Sequence, residues 1–174
     1  MPAFLGGKRL RLFRLWGALH ENHLKKGWGM ADIVHRISIN ASSEKVFRAV
    51  STVDGLKGWW TGYVDGASQE GKQLTFRFPE SGPVMDVLEL QPNEFVKWKC
   101  VDGVDEWKGT IVTFELEEQN GSTDLLFAQS GWEEQSNFFA QCNTKWAVFL
   151  LSLKEFCEDG EGHPFPEDIK IENN

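Results

Sequence analysis

Only three cysteines, four histidines and one tyrosine occur in the 174 residues. Cys100, Cys142 and Cys157 form no CxxC pair and no metal-ligand spacing, so neither a disulfide framework nor a metal centre is expected. An odd number of thiols in apolar surroundings reads as reduced, buried cysteine in a cytoplasmic protein. No apolar run is long enough to span a bilayer. The P-loop, GxGxxG, GxSxG and HExxH signatures are absent, so nothing announces a catalytic set or a cofactor. Basic side chains are scarce outside the N-terminus. Residues 30–174 hold 12 Lys and Arg against 25 Asp and Glu, a net near −13. That balance excludes non-specific nucleic-acid binding and an anionic membrane surface as partner.

What the chain has in abundance is aromatic surface, with eight Trp and 13 Phe. Much of it falls in Phe138–Glu158, which contains no Gly or Pro. Phe139, Cys142, Trp146, Phe149, Leu150, Leu153, Phe156 and Cys157 recur there at three- and four-residue steps, predicting one buried face of a long helix. Asp159-Gly160, with Pro164 and Pro166 beyond, marks its end.

The first 29 residues carry six Lys and Arg and one acid, interrupted too often by arginine to form a signal-peptide core. Lys25-Lys26-Gly27 requires purine-rich codons at the distance of a ribosome-binding site before Met30. Residues 1–29 are therefore expected to be a translated leader, with a basic amphipathic helix as the alternative. A domain over residues 30–162 and a polar tail over 163–174 follow.

Within the domain, Ile33–Ile39 alternates as a strand. Ser42 or Ser43 caps a short helix from Glu44 to about Thr52, and a second short turn covers Asp54–Trp60. Six strand-like runs follow: Thr61–Val64, Gln73–Phe78, Val84–Leu90, Phe95–Val101, Gly109–Glu117 and Thr123–Ser130. Turn signals separate them, among them Asp65-Gly66, Pro92-Asn93, Asp102-Gly103 and Asn120-Gly121. Asp105-Glu106, before Trp107, reads as a hairpin tip. Hairpin-length connections imply an antiparallel meander. The order β-α-α-β6-α is α+β: a strongly bent antiparallel sheet of about seven strands gripping the C-terminal helix.

Several segments in this order resemble the START-like (SRPBCC) helix-grip superfamily, and within it the branch related to the activator of the heat-shock protein 90 ATPase. They are Ala41-Ser42-Ser43-Glu44-Lys45-Val46-Phe47, Trp59-Trp60 and Trp107-Lys108-Gly109-Thr110 with Val112-Thr113-Phe114. Thr123-Asp124-Leu125, Ser130-Gly131-Trp132, and Trp146 through Leu153 and Phe156 to Gly160-Glu161-Gly162 complete the set, so the likeness spans about residues 31–162. The resemblance implies a cavity between sheet and long helix for an apolar or amphipathic small molecule, lipids included. The first reading is therefore a domain that binds such a molecule; the alternatives are a chaperone-directed interaction domain and, after it, a polyketide cyclase or dehydratase. Self-association stays open.

The walls of such a cavity would be Trp59, Trp60, Phe76, Trp98, Trp107, Phe114, Phe127, Trp132, Phe139, Cys142, Trp146, Phe149, Leu150 and Leu153. The alternative is that these rings fill the interior outright. His35 is a rim histidine or a general base. Arg77, Asp86 and Glu89 either face the cavity, where burial would raise a carboxylate's pKa, or sit on the wet side of the sheet. An interaction domain would use an exposed patch around Trp59-Trp60.

Overall fold

The computed structural model describes residues 31–79 and 81–171. The expected leader over residues 1–29 lies outside them. The chain runs β1 (Ala31–Ile39), α1 (Ser43–Ser51), α2 (Val53–Lys57), then six strands: β2 (Val64–Gly66), β3 (Gln73–Phe76), β4 (Val84–Gln91), β5 (Phe95–Asp102), β6 (Ile111–Gln119) and β7 (Ser122–Trp132). A 3-10 turn, Asp105–Trp107, sits between β5 and β6, and α3 (Asn137–Asp159) closes the order.

All strand pairs are antiparallel, in the spatial order β1-β7-β6-β5-β4-β3-β2. The meander accounts for β2 to β7. The first strand pairs with the last because α1 and α2 carry the chain from one rim of the sheet to the other. Their starts are set by side chains: Ser42 accepts from the Lys45 N–H and Thr52 from the Gly55 N–H. Ser136 does the same for α3 through the Phe139 N–H, and Gly160 ends α3 in the left-handed conformation.

Strand alternation puts Met85 and Val87, Val96 and Trp98, Val112 and Phe114, and Leu125 and Phe127 on the concave face, all inaccessible to solvent. The buried face of α3 packs into this concavity. The open edge of β1 is covered by side chains of the same helix. Lys154 Nζ donates to the Ser38 carbonyl at 2.7 Å, and Glu158 accepts from the Asn40 N–H.

One strand differs from expectation. Thr61–Val64 is not a meander strand; pairing with β3 runs over Val64–Gly66, so Asp65-Gly66 lies in a strand rather than a turn. The reason is a competing partner. Phe165 from the C-terminal tail donates to the Trp60 carbonyl, accepts from the Gly62 N–H, and forms a parallel bridge with Thr61. Thr61 Oγ1 turns back onto the Arg77 carbonyl at 2.8 Å.

The tail is thus part of the fold. Ser152 Oγ accepts from the His163 N–H at 2.7 Å and donates to the Trp59 carbonyl at 2.9 Å. The fully covered Asp168 carboxylate pairs with Lys145 and Lys170. Burial alone would raise its pKa, but the hydrogen bonds from the two lysines outweigh it and hold the carboxyl below its ordinary value.

Candidate functional site

The space between sheet and α3 is occupied by interlocking rings. Trp60 lies 4.2 Å from Phe76, 4.9 Å from Trp146 and 6.2 Å, in a parallel stack, from Trp98, measured between ring centroids. Trp98 meets Phe114 edge-on at 5.2 Å, Phe114 meets Phe127 at 5.4 Å, and Phe127 meets Trp146 at 4.3 Å. These stacked, edge-on and tilted contacts, with centroids within the usual range for aromatic pairs, leave little room for anything else. Of the residues expected to wall a cavity, Trp59, Trp60, Phe76, Trp98, Phe114, Phe127, Trp132, Phe139, Cys142, Trp146, Phe149, Leu150 and Leu153 are all buried. Trp107 is partly buried against them.

Trp59 and Trp60 do not form an exposed patch. Both are sequestered, with Trp59 Nε1 donating to the Ala49 carbonyl at 3.0 Å. They follow a helix end rather than a strand, so consecutive side chains need not alternate between inside and outside.

The titratable candidates are elsewhere. Arg77 projects outward into an ion pair with Asp65 at 3.1 Å, both well exposed. Asp86 accepts from Gln73 Nε2 and Glu89 from Gln91 Nε2 on the outer face. These positions put Arg77, Asp86 and Glu89 on the wet side of the sheet, not in a cavity. His35 stands at the rim, its ring 6.3 Å from Phe127 and its Nε2 3.1 Å from the Asn143 carbonyl oxygen. A carbonyl only accepts, so the ring donates there. Among the described residues no cluster of His, Cys, Asp or Glu could hold a metal ion, and no helix is long and apolar enough to cross a membrane.

One end of the interior is polar, which the sequence did not signal. Beneath the 3-10 turn, the wholly buried Gln129 accepts from Trp146 Nε1 at 2.7 Å and donates to Thr110 Oγ1 at 3.1 Å. Thr110 in turn donates to the Trp107 carbonyl at 2.7 Å. The Trp107 indole N–H reaches Cys142 Sγ at 3.3 Å. Burial pushes the Cys142 thiol up to about 11, only partly offset by that bond. The indole N–H of Trp132, also buried there, has no partner. At the opposite end the burial of Cys157 likewise raises its thiol to about 11.

Two open grooves lie on the surface. One, of about 570 Å³, runs between α1 and the C-terminal end of α3, lined by Lys45, Arg48, Asp54 and Phe156 among others. The second, of about 420 Å³, lies by Thr75, Gly82 and Val104. A continuous ring-bearing surface forms where the tail docks. Phe165 lies 5.5 Å from Phe78 and 6.5 Å from Tyr63, and Phe78 lies 6.0 Å from Phe149. Lys170 sits over the Phe165 ring and Lys145 over the Phe149 ring. Tyr63 and Ile169 are 54% and 68% exposed, large for apolar side chains.

Residues 40–158 match a family model described as activator of Hsp90 ATPase homolog 1-like protein. Among solved structures, an Aha1 dimer from Colwellia psychrerythraea is 46% identical, with a TM-score of 0.71 over 76% of this chain and 99% of that one. CalU16 from Micromonospora echinospora is 20% identical, with a TM-score of 0.64 over 78% of each chain. A conserved protein of unknown function from Enterococcus faecalis, EF2215, is also 20% identical, with a TM-score of 0.65 over 87% of this chain and 86% of that one. The last two share the fold alone. A search of curated proteins finds no match.

Proposed function

The chain belongs to the family of activator of Hsp90 ATPase homolog 1-like proteins, and from that premise we propose that it is a protein-interaction domain directed at an Hsp90-type ATPase. The observation that carries this reading is the filled interior. With Trp60, Phe76, Trp98, Phe114, Phe127 and Trp146 packed in a chain of ring contacts, little room is left between sheet and helix, which favours a function carried on the outside.

The surface best suited to it is the one the tail completes. Tyr63 and Ile169 offer apolar area without serving the core, and Phe78 and Phe165 lie half-covered beside them. Lys145 and Lys170, both paired with Asp168, border this patch. Aromatic and aliphatic side chains ringed by charge are what interaction hot spots are built from. A cytoplasmic location goes with this reading, where Cys100, Cys142 and Cys157 remain free thiols.

The test is binding and ATPase stimulation with a purified Hsp90 chaperone, comparing wild type with the double variant Tyr63→Ser/Ile169→Ser. Both side chains are exposed, so the variant keeps its fold. Loss of binding and stimulation in the variant is the expected result. A wild-type protein that neither binds nor stimulates sinks the proposal; a variant that binds as well as wild type sinks this surface.

Self-association is a second reading, favoured by the Colwellia protein having been solved as a dimer. Light scattering coupled to gel filtration should then give twice the 19.8 kDa chain mass. A monomer at concentrations of about 0.1 mM, a weak-dimer range, would exclude it.

A further inference from the structure

The outer face of the sheet lacks the cover that its inner face has. Val46, Ala49 and Val50 of α1, Leu56 of α2 and the buried face of α3 all join one core with the inward residues of the strands. The strand residues that alternate with those inward ones point away from every described helix. Across β1, β7, β6 and β5 they are not the polar set that an open sheet face usually carries. Val34, Leu126, Ala128, Ile111 and Phe95 stand there, each partly exposed. Strand register makes a patch of them. Val34 pairs with Ala128 and Ala128 with Thr113, while Leu126 pairs with Glu115 and Glu115 with Phe95.

Glu115 lies in the middle of this patch, between Leu126 and Phe95. Among the described residues its carboxylate has neither a hydrogen-bond nor an ion-pair partner, and partial burial raises its pKa above the ordinary carboxylate value. A charge desolvated by its own fold and left unpaired is unfavourable, so the arrangement is incomplete in one copy. A cation stands close by. Lys97 on β5 pairs with Thr113, two residues along β6 from Glu115, which makes it a diagonal neighbour about 7–8 Å away. Lys97 forms no ion pair either, because its cross-strand neighbour Glu89 accepts from Gln91 instead. Arg36 on β1 is already taken by Asp124.

We propose that this face is where two copies of the chain meet, about a two-fold axis that sets Glu115 of each copy against Lys97 of the other. The axis lies in the interface and crosses the line from Glu115 to Lys97 at its midpoint, so one operation makes both pairs. Phe95, at another corner of the same rectangle of residues, then falls close to the axis and meets its own counterpart. Charge favours this arrangement. Two bodies each near −13 repel, and association requires cations where they touch. Lys97 supplies one per copy at the place where a carboxylate lacks one. The inference rests on the self-association reading, which the Colwellia dimer at 46% identity supports, and names the surface for it. Tyr63 precedes β2, at the other edge of the sheet, so the chaperone assignment and this one can fail separately.

Sedimentation equilibrium of the wild-type chain, at concentrations up to about 0.1 mM, should show a dimer. Lys97→Glu and Glu115→Lys each set like charges against one another at both contacts, and each should weaken dimerisation at least about tenfold. Mixed in equal amounts, the two variants should recover it as a heterodimer, since each then carries the charge that the other lacks. The double variant Lys97→Glu/Glu115→Lys should dimerise as wild type does. A wild-type dimer that neither single variant weakens overturns this face and leaves self-association standing. Single variants that weaken the dimer without recovery on mixing also overturn it, because the pairing is then not reciprocal. A wild type that stays monomeric at about 0.1 mM overturns both readings and leaves the patch to a partner of other chemistry. In the wild-type dimer, nuclear Overhauser contacts between a labelled and an unlabelled copy should centre on Phe95. Their absence there overturns the assignment even where a variant fails to fold.

Discussion

Both halves of α3 bury aromatic side chains but are sealed in unlike ways. Along the C-terminal half, Phe149, Leu150 and Leu153 are covered by the sheet, and the tail crosses over them. That crossing is fixed by main-chain bonds from Phe165 and by Ser152, while the doubly paired Asp168 reaches Lys145, one turn nearer the helix start. Along the N-terminal half, Phe139 packs edge-on against Trp132 and Trp146 against Phe127, and a short turn adds one indole over Cys142 and Trp146. A seal made of backbone hydrogen bonds opens only when a segment unfolds together. A seal made of one ring depends on the packing of that ring alone. Local stability is therefore expected to be uneven along a single helix.

Breaking the common centre of the two halves should have the largest effect. Trp60→Ala removes the ring that touches both Phe76 and Trp146, and a buried Trp-to-Ala change costs about 3–5 kcal/mol. Urea denaturation should show a loss of that size, and a midpoint within error of wild type would mean that the ring block is looser than the centroid distances indicate.

An intermediate effect is expected from the tail. Asp168→Asn removes a charge-assisted pairing that contributes on the order of 1.5–3 kcal/mol, and the loss should appear as faster amide exchange in residues 163–170 with β5 to β7 little changed. Its pH dependence has a definite sign. The carboxyl is depressed in the fold, so its contribution is complete above the unfolded value near 3.9 and falls away as pH drops through the lower folded value. Tail exchange should be insensitive to this group between about pH 5 and 8 and accelerate in acid. An acceleration centred near neutrality would point to a different group.

The smallest expected effect, on stability, is the most specific to the N-terminal half. Cys142 and Cys157 are both buried, with thiols pushed up to about 11, so both should resist iodoacetamide at pH 7.5. In Trp107→Ala only Cys142 should become reactive, because only Cys142 loses its cover. Equal labelling of the two would show that the halves are not distinct.

Much of this architecture was legible before any coordinates. The three- and four-residue recurrence of Phe139, Cys142, Trp146 and Phe149 places α3 to within one residue at each end. Period-two alternation likewise places Val112, Phe114 and Leu116 on the inner face of β6. What was not legible depended on contacts between distant segments. Phe165 stands between prolines in a polar stretch with no periodicity, so its capture of Thr61 and Gly62 had no local signal. The same holds for the interior. Patterning says that Trp60, Trp98 and Trp146 point inward, but not whether rings from a loop, a strand and a helix interlock or leave a gap between them. Gln129 was read only as part of a strand, and its role appears once Trp146 and Thr110 are brought to it.

The cover on the outer edge of β1 has a consequence of its own. An edge strand normally offers a row of free amides and carbonyls to any extended chain that comes alongside. Here Lys154 occupies the Ser38 carbonyl and Glu158 the Asn40 amide, while at the far rim the tail has already taken the position beside Trp60 and Gly62. That end of the β1 edge is thereby closed to pairing with a neighbour's strand, as is the stretch beside Thr61 at the far rim.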